Sequence, residues 1–129
     1  MAGNLIFGIL VLFGSQALSA SGTRTICTMT INSDDEKKVF QSKIKDPNVK
    51  FVELVDTANR NWLDDACSSK VQCDTLIVSG HFGGAFFGST GERVSLDTLE
   101  KLSCSKTCDG ILKSPKEVYL FGCNTLADK

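Results

Sequence analysis

The chain has 129 residues, 42% of them hydrophobic and 22% charged, with a formal net charge of −1. Those figures describe a single globular domain with material for one core. They exclude the basic excess that draws a protein to nucleic acid or an anionic membrane surface, and the sequence holds no repeats or low-complexity tracts.

In chain order, residues 1–20 carry no charged side chain. Leu5 to Phe13 is an apolar run, and Ala17-Leu18-Ser19-Ala20 supplies small residues for cleavage. This is the pattern of a secretory signal peptide lacking the usual basic start. The run falls short of the ~18 residues of a spanning helix. The expectation is an exported chain, periplasmic or secreted, whose mature part covers 21–129 and leaves the membrane once the leader is removed. All six cysteines lie in that part: Cys27, Cys67, Cys73, Cys104, Cys108 and Cys123. Cysteine density in a short exported domain predicts disulfides, although spacing does not choose the pairs. Cys67 with Cys73 and Cys104 with Cys108 are close enough for local bridges, with Cys104 and Cys108 expected on one helical face. Cys27 and Cys123 would then remain, either paired or free.

Thr25 to Ile31 alternates polar and apolar residues and predicts a first strand. Ser33 and Glu36 form a possible capping box for a helix reaching Ile44, with Val39, Phe40 and Ile44 on its inner face. Asp46-Pro47-Asn48 ends it. Phe51 to Val55 predicts a second strand, and Ala58, Trp62, Leu63 and Ala66 recur at helical spacing over 58–68. Thr75-Leu76-Ile77-Val78 is a short β-branched run, too brief for a helix, and predicts a buried third strand breaking at Ser79-Gly80. Ala85 to Val94 reads as a hairpin with a glycine turn. Ser95 caps a helix with Leu96, Leu99 and Leu102 inside. A further helical stretch stops at Ser114-Pro115, and Glu117 to Phe121 predicts a fourth strand. Strands alternating with helices predict an α/β fold: an open, mainly parallel sheet of about four strands with helices on both faces.

The only histidine, His81, follows the carboxyl end of the third strand, and Cys123 follows that of the fourth. Chemistry in open parallel sheets gathers at those ends, so the two residues suggest a nucleophile and its base. Competing motifs fail. Gly83 and Gly88 have the gap of a phosphate-binding loop, but Ser89-Thr90 stands where a lysine is required. The stretch Gly80-His81-Phe82-Gly83-Gly84 lacks the G-x-S-x-G elbow that would make it a lipase oxyanion loop. One histidine and no C-x2-C pair argue against a metal site.

His81-Phe82-Gly83-Gly84-Ala85-Phe86-Phe87-Gly88, followed by Val94-Ser95-Leu96, resembles the histidine loop, hairpin and next helix of the caspase-like cysteine peptidases. Gly122-Cys123-Asn124-Thr125 is similar to the cysteine motif of their CHAT branch. The resemblance covers nearly the whole mature chain in element order, but only two short blocks carry its specific motifs. Two departures stand out. Phe82 occupies the position after the histidine where the family has glycine, which could alter the loop contributing to the oxyanion site. The chain also ends at Lys129, whereas the family's pocket-forming strands and loops follow the cysteine, so the resemblance implies the front half of such a domain.

The implied function is peptide-bond hydrolysis by a Cys123/His81 dyad on a peptide or protein substrate, without a cofactor. Cys123 would attack as thiolate while His81 moves the proton, and backbone N–H groups around Gly83 and Gly122–Cys123 would receive the oxyanion. The truncation leaves open that the dyad is inactive. The alternative is a disulfide-stabilised exported domain with a binding or structural role.

Overall fold

A computed structural model describes residues 22–32, 34–89 and 91–122. The expected leader, the Ser33 half of the capping box and Cys123 lie outside the described residues. Strand β1 (Arg24–Thr30), helix α1 (Asp34–Lys43), β2 (Val49–Glu53), α2 (Trp62–Ser68) and β3 (Thr75–Ser79) alternate as expected. After β3 come three short strands, β4 (His81–Phe82), β5 (Ala85–Phe87) and β6 (Arg93–Ser95), then α3 (Leu96–Cys104), α4 (Asp109–Leu112) and β7 (Glu117–Phe121).

The strands β2-β1-β3-β7 form one sheet in that order, and every neighbouring pair is parallel. The protein is therefore α/β, with a small antiparallel sheet of β4-β5-β6 appended. Because β1 sits between β2 and β3, the crossover from β1 to β2 and the one from β2 to β3 run in opposite directions across the sheet. Right-handed connections then set α1 on one face and α2, α3 and α4 on the other.

Several boundaries move for local reasons. Helix α2 starts at Trp62 rather than near 58, because two side chains hold the approach as turns. Asp56 Oδ1 accepts from the Ala58 amide at 3.0 Å and Asn59 Oδ1 from the Asn61 amide at 2.9 Å, the arrangement by which Asp and Asn compete with helix. Ser95 caps α3 as expected, its Oγ accepting from the Thr98 amide at 3.0 Å. The hairpin begins at His81 itself, which pairs with Phe87 across β4 and β5. Phe40 of α1 and Ile44, just past its end, line a groove with the sheet residues Ile26, Ile77 and Tyr119. Val39 does not: it is exposed, one position and about 100° around the helix from Phe40.

The core lies on the α2/α3/α4 face. Met29, Leu76 and Val78 of the sheet meet Trp62, Phe86 and Ile111, all buried. Two disulfides run through this layer, Cys27–Cys73 and Cys67–Cys108. The expected local bridges are thus corrected. Parallel pairing of β1 with β3 brings Cys27 to Cys73 with Cα atoms 5.7 Å apart. Cys67 near the end of α2 meets Cys108 at the start of α4. Cys104 keeps a free, exposed thiol. It shares no helix with Cys108, because α3 stops at Cys104 and Lys106 takes a left-handed φ of 63°.

The α1 face is less complete. Phe40 packs on Phe121 with ring centroids 5.1 Å apart. An open groove of about 420 Å³ runs beside them, lined by Ile26, Ile44, Ile77 and Tyr119 among others. Strand β7 is an edge of the sheet, and Val118, Tyr119, Leu120 and Phe121 are all exposed there.

Candidate active site

The carboxyl ends of β1, β3 and β7 lie flush. Ser79 is the register partner of both Thr30 and Phe121. The Ile31 amide donates to the Ser79 carbonyl at 2.8 Å, and the Gly80 amide donates to the Phe121 carbonyl at 3.0 Å. The connection leaving β1 runs to β2 and the one leaving β3 runs the opposite way to β7, and such a reversal between neighbouring strands is where open α/β sheets form a crevice. His81 stands beside this seam and is exposed.

Glycines make the close approach possible. A Cβ on Gly80 would lie 3.2 Å from both the Ile31 Cβ and the Phe87 carbonyl oxygen, and one on Gly88 would collide with the Asn32 backbone. Gly84 turns the chain between β4 and β5 with a φ of 82°, where a side chain would be strained. Ser89 Oγ donates to the Asn32 carbonyl at 2.6 Å. The hairpin carrying His81 is therefore pinned to the end of β1.

Among the described residues the His81 imidazole has no hydrogen-bond partner. Its ring contact is Phe87, with centroids 5.7 Å apart and planes at 43°. The Gly83 amide, expected as an oxyanion donor, donates to the Ala85 carbonyl at 3.2 Å and is engaged within the turn. Gly122 directly follows β7 and is the last described residue, so the Cys123 side of the expected dyad is not part of the described geometry.

Two contributors were not evident from sequence. Phe87 is one, because its contact with His81 depends on the β4–β5 register. Glu53, at the end of β2, is the other. Its carboxylate accepts from Thr28 Oγ1 at 2.9 Å, Thr30 Oγ1 at 2.8 Å, the Thr30 amide at 3.0 Å and the Val55 amide at 3.1 Å. It thereby satisfies the buried threonines of β1 and fixes the strand end that supports the hairpin. Threonines at alternate positions of a buried strand were the available signal, since such hydroxyls need a partner.

Among the described residues no three His, Cys, Asp or Glu side chains gather to hold a metal ion, and no helix is long and apolar enough to cross a membrane. The chain matches no protein-family model, and no curated protein matches it either.

Proposed function

We propose that the chain is a cysteine-peptidase-like domain in which Cys123 and His81 form a dyad. The observation that carries the reading is the hydrogen bond from Gly80 to Phe121 in the parallel β3–β7 register. His81 and Cys123 each follow, by two residues, one member of the Ser79–Phe121 pair, and neighbouring strands lie about 4.8 Å apart. The Cys123 thiolate would add to the scissile carbonyl, and His81 would give a proton to the departing amine as the acyl-enzyme forms. Water would then hydrolyse the thioester, with the imidazole taking its proton.

Two disulfides are in keeping with maturation in an oxidising compartment, which supports export; removal of residues 1–20 rests on the apolar, uncharged start of the sequence. Mass spectrometry of the exported protein should find a start near residue 21, and an intact Met1 would count against removal.

A total thiol count does not test the dyad, because Cys104 supplies one free thiol in any case. The test is site-resolved alkylation by iodoacetamide in a Cys104→Ser background, where Cys123 is the only cysteine outside the two bridges. The dyad predicts rapid alkylation at Cys123, slowed at least tenfold by His81→Ala, on the order of the general acid–base contribution. A Cys123 that is unreactive, or indifferent to His81→Ala, favours the non-catalytic exported domain.

A further inference from the structure

An imidazole that moves protons in a reaction needs a defined orientation, usually set by a hydrogen bond from one ring nitrogen to a carbonyl or carboxylate. His81 has no such bond among the described residues, and Phe87 is the side chain against its ring. The two are direct cross-strand partners, a position at which side chains of an antiparallel pair interact.

The role of Phe87 is not explained by the core. Its neighbour Phe86 is fully buried there, whereas Phe87 is 40% exposed. Yet the backbone that carries Phe87 is firmly held. A Cβ on Gly80 would lie 3.2 Å from the Phe87 carbonyl oxygen, and Gly88, next in the chain, fits against the Asn32 backbone where no side chain could. A large apolar ring, left half in water on a fixed backbone, therefore meets an otherwise unheld histidine.

We infer that Phe87 is a positioning residue for His81, its ring limiting the orientations open to the imidazole on the hairpin face that the two residues share. This rests on the dyad reading, and it assigns to an aromatic contact the orienting task that a hydrogen bond performs elsewhere. Tyrosine, which keeps the ring, should substitute for Phe87; leucine, which fills similar space without a ring, should not.

The experiment uses the full chain in the Cys104→Ser background with Phe87→Leu, Phe87→Tyr and His81→Ala. Because His81 is the only histidine, its imidazole carbon-bound protons give a single pair of NMR signals. In the parent these should be displaced by the Phe87 ring current. They should return toward free-histidine positions in Phe87→Leu and stay displaced in Phe87→Tyr. Alkylation of Cys123 should slow about tenfold in Phe87→Leu, within the range that small misplacements cost, and recover in Phe87→Tyr. Emission from Trp62, the only tryptophan, should be unchanged in every variant and so report an intact core. Imidazole signals that do not move in Phe87→Leu overturn the inference. So does alkylation unchanged in Phe87→Leu but slowed by His81→Ala, a result that leaves the dyad standing. Alkylation indifferent to His81→Ala instead overturns the dyad, and the positioning role with it.

Discussion

The two faces of the sheet are built from the same strands and have very different surroundings. On one, Met29 and Val78 are fully buried in a core shared with α2, α4 and the hairpin, and both disulfides cross this layer. On the other, α1 is the only covering element among the described residues, and Tyr119 and Phe121 remain 44% and 45% exposed. The difference follows from topology: one crossover passes over the α1 face, whereas those from β2 to β3 and from β3 to β7 pass over the other. A strand that is apolar at successive positions is normally buried on both sides. At the edge of the sheet β7 is only partly covered on either side, with Val118, Tyr119, Leu120 and Phe121 all exposed, and a poorly covered apolar edge favours association. The hairpin bearing His81 belongs to the covered side through Phe86, which is part of the core there.

Substitutions across the two faces can break this comparison. The largest effect should come from removing the Cys67–Cys108 bridge by the double change to alanine. It closes a loop with a sequence separation of 41, and its loss should cost roughly 4 kcal/mol by the chain-entropy estimate. Denaturant midpoints of the oxidised proteins would show it. A cost below about 1 kcal/mol would mean that packing alone holds this layer.

Gly110→Ala should follow, at about 3 kcal/mol. Its new methyl would collide with the Val71 carbonyl, and the Gly110 carbonyl accepts from the Cys73 amide at 2.8 Å, which leaves the backbone little room to move. Thermal unfolding of the variant checks this, and an unchanged midpoint would show that the α4 contact is soft.

Glu92→Ala should cost about 2 kcal/mol, because the buried Trp62 indole N–H donates to Glu92 at 2.8 Å and would lose its acceptor. Glu92→Gln, which retains an oxygen, should recover most of that loss in the same unfolding assay.

The smallest effect is expected on β7. Val118→Thr with Leu120→Thr should change stability by less than about 1 kcal/mol, as exposed positions usually do, while lowering self-association measured by light scattering. A loss as large as that of a core truncation, about 3 kcal/mol, would show that these side chains are covered in solution.

The element order was legible because hydrophobic periodicity and local turn chemistry are properties of neighbouring residues. The β-branched run at Thr75 to Val78 specified a buried strand, and Ser95 specified a cap, without reference to the rest of the chain. Cysteine pairing was not legible in that way. Cys67 and Cys73 look like partners by separation, yet strand register gives Cys73 to Cys27 and leaves Cys67 to the start of α4. Nor was Val39 legible as exposed, since an apolar residue beside Phe40 reads as part of the same face until a sheet fixes which way the helix turns.

The sequence by itself determined the α/β class, the alternation of strands and helices, and the placement of His81 just past a strand's carboxyl end. Those follow from side-chain period, β-branching and glycine, which act over a few residues. Only the tertiary structure decided that β3 and β7 are direct parallel neighbours, that the Gly83 amide is engaged within its own turn, and that Phe87 rather than a carboxylate meets the histidine. Each depends on hydrogen-bond register or chain crossing between segments far apart in sequence. Such pairings are selected by the burial and backbone bonding of the whole sheet, which no local pattern records.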